Sequence, residues 1–239
     1  MIIGVTGQTG SGKTTFCNAL RDLGFYVIDA DKVAKEVTDK DAQCLKELAE
    51  CFGDVIKSDG TLDRRKLGDI VFSDSDKLQR LNNIIFPYIT ERLDELIFCE
   101  NPQDYLQIKH KYLELSHNDT VPFEGNTDFY ESSRSQKCNS LKTNRESGAT
   151  PCVVVDAPTL FESGFDKICD LIIAVIANSE EEQIERLIER DDITREQILN
   201  RIKSQKTKEF FYENADIIVN NKNMEDILDV IRTFKRVEN

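Results

Sequence analysis

The sequence predicts an α/β fold, a parallel sheet covered by helices on both faces. Two observations carry that expectation. Short apolar runs bounded by Gly, Pro, Asn or Asp recur at about residues 2–6, 25–28, 152–156, 171–177 and 216–219, as expected of strands buried on both faces. The stretches between them have helical spacing, and strands alternating with helices build parallel sheets.

Taken in order, the first run leads through a glycine-rich turn into a helix beginning at Gly12. After the second run, a helix from about Asp41 to Phe52 places Leu45, Leu48, Ala49 and Phe52 on one face. A longer pattern holds Leu78, Leu81, Ile85, Tyr88, Ile89, Leu93 and Leu96 at spacings of three or four, and Pro87 is expected to bend or break it. Residues 101–151 carry both histidines, three of the five prolines and a Ser/Asn/Thr-rich stretch, so they read as a solvated surface insertion or a functional excursion. His110 and His117 lack the partners of a metal site. Beyond the third and fourth strands, Ser179 with Glu182 and Thr194 with Gln197 have capping-box spacing and mark two helix starts. The last strand is followed by a helix from about Met224 to Phe234.

The 239 residues suit one large domain or a domain with an appendage. A formal charge of -13 disfavours general binding to nucleic acid or anionic membranes, so neither partner is expected and any polyanionic ligand must be captured locally. The seven cysteines are scattered without CxxC spacing, which argues against zinc or a disulfide framework and for a reducing cytoplasm. No signal peptide is recognisable, and the apolar run from Leu171 to Ala177 is too short to span a bilayer.

Gly7-Gln8-Thr9-Gly10-Ser11-Gly12-Lys13-Thr14 matches the phosphate-loop pattern GxxxxGK[ST] and stands between a strand and a helix, as that motif requires. Its glycines let backbone amides converge on an anion, the helix N-terminus adds a positive dipole end, and Lys13 adds a full charge for the β and γ phosphates. Thr14 offers a hydroxyl to Mg²⁺, and Thr15 is placed to reach an α-phosphate. The implied ligand is ATP or GTP with Mg²⁺, and guanine specificity lacks support because Asn220-Asn221-Lys222-Asn223 has no base-reading aspartate. Asp29 and Asp31 close the second strand, at the edge where open parallel sheets carry ligands. A carboxylate there either orients an acceptor hydroxyl and takes its proton or caps the next helix.

An ordered set of motifs resembles the dephospho-coenzyme A kinase family. It comprises Gly-Val-Thr-Gly at 4–7 with Gly-Ser-Gly-Lys-Thr at 10–14, Val27-Ile28-Asp29-Ala30-Asp31, Leu62-Asp63-Arg64-Arg65-Lys66-Leu67 before Ile70-Val71-Phe72, and Asp156-Ala157-Pro158-Thr159-Leu160-Phe161-Glu162. Further along come Gln183-x-x-Arg186-Leu187-x-x-Arg190, Arg201-Ile202-x-x-Gln205 and Ala215-Asp216-x-x-Val219-x-Asn221. The likeness spans residues 1 to about 98 and 152 to about 235. It departs at Phe86, where the family usually has His, and at Thr159, where it usually has Leu.

The resemblance implies a P-loop kinase three-layer fold with a five-stranded parallel sheet, a helical substrate-binding domain and a lid. The sheet core would take residues 1–30, 152–178 and 215–239, the helical domain about 31–100, the insertion about 101–151 and the lid about 179–214. It implies ATP-dependent phosphorylation of the ribose 3′-hydroxyl of dephospho-CoA. Asp31 would be the general base, with Lys13 and Arg186 completing the catalytic set. Gly10, Ser11, Gly12, Lys13, Thr14, Thr15 and Arg190 would bind ATP. Thr14 would hold Mg²⁺, and Asp156 would either reach it through a water or cap the following turn. Arg64 and Arg65 would lie in the helical domain near the acceptor. Arg186 and Arg190 stand one turn apart, and a solvated face paired with Glu182, Glu185 or Glu189 is their other reading. A different P-loop kinase, or a regulator that binds ATP without transferring phosphate, are the alternatives.

Overall fold

The computed structural model describes residues 1–71, 74–100, 152–190, 194–203, 205–220 and 222–236. His110, His117 and the rest of residues 101–151 lie outside them, as do Asp191, Asp192 and Asn221. The chain forms two compact units. One contains Met1–Ile28 and the described residues from Cys152 on, and the other contains Asp29–Cys99.

The first unit is built on a five-stranded parallel sheet. Its strands are β1 (Ile2–Thr6), β2 (Tyr26–Asp29), β3 (Val153–Asp156), β4 (Leu171–Val175) and β5 (Ile217–Val219), in the order β2-β3-β1-β4-β5. β1 is central, with Val5 opposite Asp156 of β3 on one side and Ile173 of β4 on the other. Every residue of β1 and β3 is buried, which explains why both read as unbroken apolar runs.

Alternation along the strands assigns the two faces. Ile3, Val5, Val154, Ile173, Val175 and Val219 pack with Phe16, Cys17 and Leu20 of α1 (Lys13–Asp22) and with Ile227, Leu228 and Ile231 of the last helix. The intervening Ala174 faces the other way, towards Phe211 of a short helix at Lys208–Asn214. There Phe161 meets Phe210 edge-on with ring centroids 5.0 Å apart.

The second unit holds α2 (Ala30–Lys40), α3 (Ala42–Phe52), α4 (Arg64–Val71) and α5 (Ser75–Glu100). Asp41 starts α3 as predicted, its carboxylate accepting the N–H groups of Gln43 and Cys44. The buried residues of α3 are Cys44 and Leu48, whereas Leu45, Ala49 and Phe52 are half-buried. α5 continues through Pro87, so of the bend or break expected there the break does not form. Pro87 and Asn83 are both exposed, so the carbonyl that loses its intrahelical partner belongs to a solvent-facing residue. In the C-terminal half of α5 the buried residues are Ile89, Leu93 and Ile97.

The remaining helices belong to the first unit: α6 (Glu180–Arg190), α7 (Arg195–Lys203), α8 (Lys208–Asn214) and α9 (Met224–Arg236). Thr194 and Gln197 form the full reciprocal box before α7. Only half of the other box forms: Ser179 Oγ accepts the Glu182 N–H at 3.1 Å, while the Glu182 side chain pairs with Arg186. α6 and α7 share a small core of Ile184, Leu187 and Ile198.

Two aspartates fix the sheet at its amino end. The Asp170 carboxylate accepts the Ile2 N–H at 2.8 Å while the Asp170 N–H returns a bond of 2.8 Å to the Ile2 carbonyl. Asp216 does the same for Ile172, at 2.7 and 2.9 Å. The first residue of β1 and the second of β4 thus each have their N–H satisfied by the aspartate that precedes the neighbouring strand. Asp170→Ala should lower stability by about 1 kcal/mol, read as an earlier urea midpoint with unchanged slope; an unchanged midpoint would show that water replaces the carboxylate at no cost.

Candidate active site

The phosphate loop leaves the central strand at the point where the connections diverge to opposite sides of the sheet, which is where open α/β sheets bind ligands. Two glycines define its path. Gly7 has φ +142°, and a Cβ there would collide with the Val175 carbonyl of β4. Gly10 has φ +73°, and its Cβ would lie 2.9 Å from Leu187 Cγ and 3.0 Å from the Gln183 carbonyl oxygen, both on α6. Positive φ and close approach therefore coincide, and any side chain would have to move the loop.

α1 begins straight after the loop without a side-chain cap at Gly12. Its first-turn amides, with no intrahelical acceptors, point towards the loop as anion donors. Thr14 and Thr15 are exposed at this end, whereas Ser11 is buried. Among the described residues nothing hydrogen-bonds Ser11 Oγ or Gln8 Oε1, although both atoms are buried. Buried polar atoms are nearly always satisfied, so these two fit a site completed by a polar ligand or water.

Lys13 Nζ forms an ion pair with Asp156 Oδ1, and both side chains are largely covered. Register dictates the meeting: Asp156 ends β3 opposite Val5, two residues before the loop begins. Cys17, one turn further along α1, is hydrogen-bonded to the same carboxylate. Burial first, and the Asp156 charge second, push its thiol well above the usual range, so it remains a neutral donor. In this structure the cationic side-chain partner of Asp156 is therefore Lys13.

α6 meets the loop directly. Gln183 Nε2 donates to the Thr9 carbonyl at 2.5 Å, and Arg186 Nη1 donates to the Gly10 carbonyl at 3.4 Å. Arg186 is also paired with Glu182, one of the partners anticipated from helical spacing. Arg190 ends α6 and is exposed. Beyond α7, Gln205 Oε1 accepts the Thr9 N–H at 2.9 Å, and Gln8 Nε2 donates to the Lys206 carbonyl at 2.9 Å. The glutamine contacts were not anticipated. A signal existed for Gln183, which stands next to Ile184 and four residues before Leu187 on the apolar face of an amphipathic helix, where a polar residue requires a partner.

Asp29 and Asp31 belong to the second unit. Asp29 caps α2, accepting the Lys32 N–H at 3.1 Å. Asp31 is exposed in the first turn of α2. Arg64 is engaged within its own unit, donating to Thr38 Oγ1 at 2.7 Å, Asp39 Oδ1 at 2.8 Å and the Lys35 carbonyl at 3.2 Å. Arg65 is exposed.

Comparison with known proteins agrees with these motifs. The profile of the dephospho-CoA kinase family matches residues 1–108 and 135–226. A dephospho-CoA kinase of Fusobacterium nucleatum is 34% identical over 240 residues, covering 100% of this chain and 95% of the relative. One from Bacillus cereus is 32% identical over 222 residues, covering 92% and 88%. The crystal structure of TT1252 from Thermus thermophilus superposes with a TM-score of 0.63 at 26% identity, covering 99% of this chain and 95% of that one.

The Lys13–Asp156 pair is separable from ligand binding by a stability measurement. Lys13→Met should destabilise the protein by about 1–3 kcal/mol, because it leaves a covered carboxylate without its cation. Adding Asp156→Asn should recover part of that loss in urea unfolding. Additive losses would show that the two groups do not interact energetically.

Proposed function

The chain belongs to the dephospho-CoA kinase family, and from that premise we propose how its residues divide the reaction. The activity is phosphorylation of dephospho-CoA with ATP to give CoA and ADP. Substrate and product differ by one phosphate on the ribose 3′ oxygen, so the 3′-hydroxyl is the acceptor.

The transfer is direct and in line. The 3′ oxygen attacks the γ-phosphorus, a new O–P bond forms as the bond to the β–γ bridging oxygen breaks, and ADP departs with that electron pair. The hydroxyl proton passes to the Asp31 carboxylate. Lys13 and the loop amides from Gly10 to Thr15, with the Ser11 hydroxyl beside them, hold the donor phosphates. Arg186 neutralises charge on the equatorial oxygens, and Arg190 extends the same basic edge of α6. The Thr14 hydroxyl would hold Mg²⁺ directly and the Asp156 carboxylate would hold it through water, a sparse oxygen set of the kind this ion accepts, and the ion would supply positive charge to the donor phosphates.

The observation that carries the donor side is the loop itself, with its positive-φ glycines, uncapped helix start and buried Ser11 hydroxyl. Asp31 is supported by its position two residues beyond the end of β2, together with the motif that contains it. A cytoplasmic location accords with the free thiols of Cys17, Cys44, Cys51, Cys152 and Cys169. No helix among the described residues is long and apolar enough to cross a membrane.

ADP release measured with dephospho-CoA, and in parallel with a panel of nucleosides and nucleotides, tests the substrate assignment. Dephospho-CoA should stimulate turnover far above every other acceptor, and stronger stimulation by a nucleoside would contradict it. Asp31→Asn should lower kcat by about 10²–10⁴-fold with little change in the KM for ATP. Turnover near the wild-type rate would remove Asp31 from the mechanism.

A further inference from the structure

The peptide of Thr9, in the middle of the phosphate loop, is gripped from both sides by residues far away in sequence. Its carbonyl accepts from Gln183 Nε2 at 2.5 Å and its N–H donates to Gln205 Oε1 at 2.9 Å. The first partner comes from α6 and the second from the turn after α7. Gln183 is only 1% exposed, so its amide lies beyond the reach of bulk water. Two further bonds run beside this pair, Gln8 Nε2 to the Lys206 carbonyl and Arg186 Nη1 to the Gly10 carbonyl. Leu187 closes the contact by packing against Gly10, where no Cβ would fit.

We infer that Gln183 and Gln205 are positioning residues for the donor nucleotide: by fixing both polar groups of the Thr9 peptide they hold the loop amides in the arrangement that receives the phosphates. The inference rests on the assignment of ATP to this loop. A loop with three positive-φ glycines has many alternative paths, and an anion cradle gains from having that freedom removed before the ligand arrives. Binding affinity rather than the chemical step should register the loss, because neither glutamine is placed against a reacting atom. The α6–α7 hairpin, expected from the resemblance to belong to a lid, is on this reading tied to the loop at its root.

The chemistry of the clamp is directional. A peptide carbonyl only accepts and a peptide N–H only donates, so Gln183 must present its NH₂ and Gln205 its oxygen, whichever way the amides are drawn. The isosteric change of Gln to Glu therefore has opposite consequences at the two positions. At Gln183 it replaces the donor by a carboxylate facing a carbonyl. At Gln205 it preserves the acceptor.

The test measures Kd for ATP by isothermal titration, together with kcat, KM for both substrates and thermal midpoint, for Gln183→Leu, Gln183→Glu, Gln205→Met and Gln205→Glu in the full-length protein. Gln183→Leu, Gln183→Glu and Gln205→Met should each raise the Kd for ATP by about tenfold, which corresponds to 1.4 kcal/mol, while the KM for dephospho-CoA stays within about twofold. Gln205→Glu should regain most of the affinity lost in Gln205→Met, even against the added negative charge. Equal losses for the two Glu variants would overturn the directional clamp, and so would a lowered thermal midpoint with unchanged Kd for ATP, the mark of a purely structural contact. Failure of the wild-type protein to bind ATP would remove the donor assignment and the clamp together.

Discussion

The site depends on one steric constraint: the backbone from Gly7 to Gly12 must turn through positive φ while packed against three other elements. Val175 of β4 lies behind Gly7, leaving no room for a side chain. Leu187 and Gln183 of α6 lie against Gly10. Lys13, the first residue after the turn, is met by Asp156 from β3. The order β3-β1-β4 puts these suppliers on either side of the strand from which the loop departs. A central strand buried on both faces cannot shift to relieve the loop, so the loop's shape follows from the packing of the sheet.

The charge of the chain and the charge of its substrates are reconciled locally. The chain has a net charge of -13, yet cations stand beside the loop, each held in place by a carboxylate. Asp156 holds Lys13, and Glu182 holds Arg186 within reach of the Gly10 carbonyl. Each pairing restricts a long flexible side chain before phosphate is present, which reduces the entropy lost on binding.

Much of the sheet was legible because buried parallel strands leave apolar runs that are cut off by turn residues. The ends shifted where apolar character outlasts the strand: Ile176 and Ala177 are buried yet lie beyond β4. Thr194 was legible as a cap because a cap is a contact between near neighbours, and Asp41 was legible as the start of a helix. The phosphate loop was legible for the same reason, since its chemistry is contained in eight consecutive residues. Long-range partnerships left no such trace. The Lys13–Asp156 pair, the Asp170 and Asp216 bonds at the sheet's amino end, and the grip of Gln183 and Gln205 on Thr9 join residues whose meeting is decided by strand order and register. Glu182 had two local options, a backbone donor or Arg186, and spacing alone could not choose between them. At Pro87 spacing could not choose between a bend and a break, because the cost depends on whether the freed carbonyl faces solvent, which only the packing of α5 decides.

The central claim is that this loop presents ATP so that the γ-phosphoryl group passes straight to the acceptor oxygen of dephospho-CoA. Phosphorus stereochemistry tests it most directly, using ATP made chiral at the γ-position with oxygen isotopes and analysing the configuration of the CoA formed. A single in-line displacement predicts inversion at phosphorus. Retention would require a phosphorylated enzyme intermediate and would contradict the account, as would transfer to any oxygen other than the ribose 3′ position.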